Sequence, residues 1–123
     1  MSYTKKHIQD PYFTMIFDGS KVAEGRVILE GFWNLDLLGH VFTFHNGVEE
    51  FDVRVTRVDA FYGVTKRLAI ENMLSAVGYR RLLPDANSFE SAVGVYSSFG
   101  DDTTTRMAAF YIEVVSGLRP HTG

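Results

Sequence analysis

The residues HVFTFHNGVEEFDVRVTRVDAF, numbers 40–61, decide the fold, because they predict a β-hairpin that continues into one long strand. The dipeptide Asn46-Gly47 is typical of a tight hairpin turn, and the residues on both sides of it are rich in aromatic and β-branched side chains. In the second strand the apolar positions change face between Val55 and Val58, which predicts a β-bulge near Thr56-Arg57. Since bulges curve a sheet, we expect a closed or strongly coiled one.

Strands and short helices surround this hairpin. The spacing of apolar residues predicts further strands over residues 3–8, 22–28 and 107–115, and the last is apolar on both faces, as a buried closing strand would be. Helices are predicted over residues 11–18, 65–77 and 89–96, the first with Asp10 as its N-cap and Pro11 as its first residue. This order predicts an α+β fold with a curved, mostly antiparallel sheet and flanking short helices.

The length of 123 residues is that of one domain. We place this domain at residues 1–116 and expect residues 117–123 to be a flexible tail, because they carry no structural signal. No apolar run is long enough to span a bilayer, and the first ten residues are too polar for a signal peptide. We therefore expect an intracellular protein, of the cytoplasm or nucleus, with no membrane partner.

Composition excludes several kinds of site. The chain has no cysteine, which excludes disulfides, thiolate catalysis and cysteine-based zinc sites. His40 and His45 point to opposite faces of one predicted strand and His121 lies in the predicted tail, so we predict no metal site and no cofactor. The net charge of −3 excludes a broad basic surface, so a nucleic-acid ligand would need a small pocket or a local patch. Three basic pairs could form such a patch if they converge: Lys5-Lys6, Lys66-Arg67 and Arg80-Arg81.

The densest group of reactive side chains lies in GSKVAEGR, residues 19–26, where the first helix ends and a strand begins. Lys21 follows the helix end, a position where a cation is electrostatically favoured. Glu24 and Arg26 share one face of the strand and could together face a cleft. The same two residues could instead form a simple ion pair across the strand.

This G-x-K-x-x-E-x-R segment resembles the signature of the ASCH domain family. Three further segments resemble the family in the same order, so that the likeness covers about residues 8–115: LGHVFTF at 38–44, GYRRLLP at 78–84 and SFESAVGVY at 88–96. The resemblance implies a PUA-like β-barrel with a cleft lined by residues 21–26.

We predict a ligand site made of charged and aromatic side chains around this cleft. A carboxylate can accept hydrogen bonds from a base, and an arginine can clamp a phosphate or stack on a base. Aromatic rings can supply a stacking wall, although Phe13 lies on a helix stripe that faces the core. The predicted ligand-binding residues are Lys21, Glu24, Arg26, Trp33 and Tyr79.

The resemblance leaves three functions open. The first is an RNA- or nucleotide-binding domain, in which Glu24 reads a base edge. The second is a hydrolase that removes the acetyl group of N4-acetylcytidine or another modified nucleoside, or a ribonuclease. In the amidohydrolases of the family a lysine works with a threonine three positions on and a downstream acid; here Lys21 matches the lysine, Glu24 replaces the threonine, and Asp85, with Glu90 behind it, is the candidate acid. The third is a module that binds a protein partner.

Overall fold

The hairpin and the bulge form as the sequence predicts. In the computed structural model, which describes residues 4–28, 33–100, 103 and 105–122, strands β3 (Val41–His45) and β4 (Glu49–Tyr62) pair antiparallel. The side chain of Asn46 accepts hydrogen bonds from the backbone N–H groups of Val48 and Glu49 and closes the turn. The register of β4 shifts between Val55 and Arg57, which confirms the predicted bulge.

The remaining elements complete one curled sheet and a layer of short helices. The other strands are β1 (Lys5–His7), β2 (Ala23–Val27), β5 (Arg106–Val114) and β6 (Arg119–Pro120). The helices are α1 (Tyr12–Asp18), α2 (Lys66–Val77), α3 (Tyr79–Leu82) and α4 (Phe89–Ser97), with a 3₁₀ turn at Leu35–Leu37. The strand order is β1-β3-β4-β5-β2, with β6 beside β4, and only the β1–β3 pair is parallel among the described strands.

The sheet is a curled half-barrel of the predicted α+β class. Its concave side encloses one apolar core, whose largest members include Phe42, Phe44, Phe51 and Phe110. Its convex side packs against α2 and α4 to form a second core, which includes Ile70, Met73 and Val93. Among the described residues β1 and β2 are not hydrogen-bonded to each other, so the sheet stays open between these two strands.

Three local predictions need correction. Pro11 is the cap of α1 rather than its first residue, and the carboxylate of Asp10 accepts a hydrogen bond from the Thr14 hydroxyl instead of capping the helix. The first strand has three residues rather than six. The strand predicted as closing, β5, lies inside the sheet between β2 and β4, which explains why it is apolar on both faces.

The predicted flexible tail is wrong for residues 119–120, which form β6 against β4. Arg119 donates hydrogen bonds to the carboxylates of Glu50 and Asp52, and the Nδ1 atom of His121 lies 2.9 Å from Glu50. These charged contacts, rather than apolar burial, hold the segment in place. None of the helices in the described ranges has the length and apolar character that a membrane span requires.

Candidate functional site

A cavity of about 520 Å³ lies at the open side of the half-barrel. The end of β1, at His7, and the residues after it, Ile8 and Gln9, line it from one side, and β2 lines it from the other. Leu83, after α3, and the C-terminal end of α4 complete its wall. The cavity therefore occupies the gap where a closed barrel would join its first and last strands.

The pairing of β2 decides which of its groups face this cavity. The N–H of Ile112 donates to the carbonyl of Val22, which makes Glu24 and Arg26 the residues that exchange backbone hydrogen bonds with β5. Their side chains point to the concave side, on the same face as Phe110. The backbone N–H and C=O groups of the alternate residues in β2 are consequently directed at the open edge.

Lys21 is buried and uses all three of its hydrogen-bond donors. Its ammonium donates to the carbonyl of Ala23 at 2.9 Å and to that of Leu82, and lies 3.3 Å from the carboxylate of Glu24. The side chain is only 3% exposed. Burial lowers the pKa of Lys21, while the charge of Glu24 opposes this shift. Lys21 thus ties the edge of β2 to the end of α3.

Glu24, Arg26 and Trp33 form the charged and aromatic wall of the cavity. The Nη2 atom of Arg26 lies 2.9 Å from the second carboxylate oxygen of Glu24, and the guanidinium lies 4.6 Å from the centre of the Trp33 ring. The Nε atom of Arg26 is buried and has no hydrogen-bond partner in the described part of the chain. For Glu24 and Arg26 the sequence allowed either a shared cleft or a simple ion pair. The structure has both, because the two side chains are paired with each other and also line the cavity.

Two tyrosines that are not among the predicted site residues, Tyr12 and Tyr96, also line the cavity. Burial, followed by the charge of Asp85 beside its hydroxyl, raises the pKa of Tyr12. Tyr96 lies with its hydroxyl against the backbone of Gly25, and burial raises its pKa. No local sequence signal marks either residue, because both fit the apolar spacing of their helices.

The other predicted site residues lie elsewhere. Tyr79 is outside the cavity lining and packs edge-on against Phe89, with ring centres 6.0 Å apart. Glu90 is held by Arg67 through two hydrogen bonds on the helical layer. Phe13 is buried in the concave core. Within the described residues, no three histidine or acidic side chains come together in a way that could hold a metal ion.

The contact between Tyr96 and Gly25 predicts a strict size limit at position 25. A Cβ atom added to Gly25 would lie 2.7 Å from the Tyr96 hydroxyl oxygen and 2.8 Å from the ring carbon that carries it. We expect Gly25→Ala to lower the free energy of unfolding by about 1–3 kcal/mol through overpacking. Urea denaturation of the variant measures this cost.

Gly94→Ala is the matched control, since a Cβ there would meet nothing within 4 Å and Gly94 lies inside helix α4. This control should be neutral or stabilising, because alanine favours a helix over glycine by about 1 kcal/mol. Equal stability of Gly25→Ala and wild type would contradict the packing of Tyr96 against β2.

Two solved structures are similar to nearly the whole chain. The crystal structure of hypothetical protein PH0355 matches with a TM-score of 0.73 and 25% identity, over 94% of this chain and 100% of that one. The solution NMR structure of protein PF0455 from Pyrococcus furiosus matches with a TM-score of 0.65 and 23% identity, over 94% of this chain and 98% of that one. No family model matches the sequence, and no curated protein matches it significantly. Both structures share the curled-sheet α+β fold, which confirms the predicted fold class.

Proposed function

We propose that this chain is an ASCH-like, PUA-like domain that binds RNA or a nucleotide by taking one base into the cavity between β1 and β2. The observation that carries the proposal is the side chain of Arg26, which lines the cavity, is 35% exposed and has a buried Nε–H without a hydrogen-bond partner in the described residues. A buried donor without an acceptor is costly, and a small rotation of the guanidinium would let a ligand in the cavity supply one. The cavity volume of about 520 Å³ lies within the usual range for small-molecule sites.

The charges and rings of the site suit a base. Two cationic side chains, Lys21 and Arg26, flank the carboxylate of Glu24, and the carboxylate of Asp85 lies beside Tyr12. The N–H groups of the Arg26 guanidinium can donate to a base carbonyl. The guanidinium lies 4.6 Å from the ring centre of Trp33, and a base that stacks on either group would extend this contact.

The same contacts favour binding over hydrolysis. A lysine that acts as a base or as an electrophile must direct its nitrogen at the substrate, whereas the donors of Lys21 are taken by two carbonyls and one carboxylate. Asp85 lies beside the Tyr12 hydroxyl and is not among the residues that line the cavity. Hydrolysis of a modified nucleoside, or cleavage of RNA, remains the alternative that the binding experiment also tests.

The test uses the fluorescence of Trp33, the single tryptophan of the chain, which lies on the cavity wall. Wild-type protein is titrated with the four nucleosides, N4-acetylcytidine and a short single-stranded RNA. We expect a saturable change with at least one of them. Arg26→Gln should weaken this binding by about 10- to 100-fold, the usual effect of losing a hydrogen bond to a charged group. Arg67→Gln, a change of the same charge on α2, should leave the binding unchanged.

The products of the same mixtures decide between binding and chemistry. Loss of the acetyl group, or shortening of the RNA, would replace the binding function by the hydrolase alternative. A flat titration with every nucleoside and with RNA would refute both.

A further inference from the structure

The three basic pairs of the sequence, Lys5-Lys6, Lys66-Arg67 and Arg80-Arg81, differ in whether their charged groups are bound by acidic side chains or backbone carbonyls. Lys5 is bound by Glu50, Lys66 donates to the carbonyl of Ser97, and Arg67 is bound by Glu90. Arg80 and Arg81, in contrast, make no ion pair with an acidic side chain of the described ranges. The guanidinium of Arg80 lies 5.5 Å from the ring centre of Tyr79, and that of Arg81 lies 5.8 Å from the ring centre of Tyr111.

The β-bulge brings another arginine to Tyr111. Because the register of β4 shifts between Val55 and Arg57, Arg57 points to the convex side of the sheet and pairs with Tyr111. Its guanidinium lies 5.5 Å from the Tyr111 ring centre and 3.0 Å from the carboxylate of Asp59, and its side chain is 68% exposed. Two arginines from separate elements thus converge on one tyrosine. We call Arg57, Arg81 and Tyr111 the arginine–tyrosine patch.

This patch lies beside the cavity, on the other face of β2. Tyr111 is the pairing partner of Ala23 in β2, and both face the convex side, whereas Glu24 and Arg26 face the concave side. The carbonyl of Arg81 accepts a hydrogen bond from the N–H of Val22 at 3.2 Å, and Leu83, two residues further on, lines the cavity. The route from the cavity to the patch therefore crosses the beginning of β2 beside Arg81.

We infer that the ligand is a single-stranded polynucleotide, whose base enters the cavity while its sugar-phosphate backbone crosses the arginine–tyrosine patch. This inference rests on the function proposed above. Guanidinium groups held against an aromatic ring are partly ordered before binding, and they match the geometry of phosphate oxygens. A net charge of −3 disfavours a long nucleic-acid footprint, so two arginines beside one pocket limit the contact to a short stretch of the strand.

The experiment compares a nucleoside with a polynucleotide that contains it. The Trp33 signal is titrated with the nucleoside that binds best and with homopolymers of the same base, about eight nucleotides long, as RNA and as DNA, over a range of salt concentrations. We expect the polynucleotide to bind at least about tenfold more tightly than the nucleoside at low salt, because the phosphate contacts add to the base contact. Tighter binding of RNA than of DNA would show that the 2′-hydroxyl contributes to recognition. Equal affinities would show that the base and the phosphates account for it.

The variants separate the patch from the cavity. Arg57→Gln and Arg81→Gln should each lower the slope of log affinity against log salt by about 0.7, the value for one phosphate contact on a single strand. Both should keep the wild-type affinity for the nucleoside. Arg67→Gln removes the same charge from α2 and should alter neither quantity. Circular dichroism of each variant establishes that it is folded.

The outcomes distinguish this inference from the proposed function. If the protein binds the nucleoside and the polynucleotide with equal affinity, the inference is overturned and the proposed function stands. The same holds if both patch variants still bind the polynucleotide more tightly than the nucleoside, to the same extent as the wild type. Absence of any binding would refute the function and the inference together. Displacement of the polynucleotide by polyglutamate of the same length would overturn the inference in favour of an acidic protein partner.

Discussion

Glu24→Leu is expected to lower the free energy of unfolding by about 3–5 kcal/mol, the usual cost of removing one partner from a buried ion pair. Glu24 accepts from both Lys21 and Arg26, and its side chain is 8% exposed. Without it the ammonium of Lys21 would stay buried at the edge of β2, bound by two backbone carbonyls and no longer paired with a neighbouring carboxylate. Urea denaturation at neutral pH, followed by circular dichroism, measures the loss.

The double variant Lys21→Met/Glu24→Leu is the control for this interpretation. Because it removes both buried charges and keeps similar side-chain volumes, we expect it to be more stable than Glu24→Leu alone. A cost below about 1 kcal/mol for Glu24→Leu, or a double variant that is the least stable of the set, would contradict the role of Glu24 as the counter-charge of Lys21.

This stability role changes how variants of the site should be interpreted. Lys21→Ala would remove a link between β2 and the end of α3. A loss of activity in this variant would therefore not show whether Lys21 takes part in the chemistry or only stabilises the fold. Arg26 is a better probe, since its side chain is 35% exposed and lines the cavity. The experiments on binding above therefore use Arg26 rather than Lys21.

Local signals explain which parts of the fold could be predicted. The Asn46-Gly47 turn and the change of face after Val55 depend on residues that are close in sequence. A serine before a helix is also a local signal, and Ser88 caps α4 in a reciprocal pair of hydrogen bonds with Ser91, whereas Asp10 does not cap α1. The sharing of one face by Glu24 and Arg26 also follows from strand periodicity alone, and the structure confirms it.

Features that depend on distant pairing could not be predicted. The cavity exists because β1 and β2 end up at opposite edges of the sheet, an order that no local pattern contains. Tyr96 reaches Gly25 only through the packing of α4 against the sheet. Strand β6 has two residues and no strand propensity of its own, and it forms because Arg119 meets carboxylates almost 70 positions earlier in the chain.

The contacts of β6 predict a loss of stability in acid. The side chain of Glu50 is 3% exposed and accepts hydrogen bonds from Lys5, His121 and Arg119. The bond from Lys5 contributes most, and these contacts outweigh burial to lower the pKa of Glu50 from 4.5 to about 2. A carboxylate whose pKa is lower in the folded state stabilises the fold above its unfolded pKa. This contribution, up to about 3 kcal/mol, should therefore be complete above about pH 4.5 and disappear as the pH falls towards 2.

The free energy of unfolding, measured by urea denaturation between pH 2 and 7, should fall through this window in the wild type. Glu50→Gln should be less stable at neutral pH and should show a smaller fall in acid, because glutamine does not titrate and leaves Lys5 and Arg119 without this counter-charge. Glu49→Gln, at the neighbouring position of β4, should keep the wild-type pH profile.

Amide hydrogen exchange at His121, whose N–H donates to the carbonyl of Val48, reports whether the C-terminal segment detaches before the rest of the fold opens. A Glu50→Gln profile parallel to that of the wild type would assign the acid sensitivity to other carboxylates, with Asp52 as the nearest, since its pKa is lowered by hydrogen bonds from Arg119 and Thr43 that outweigh its burial.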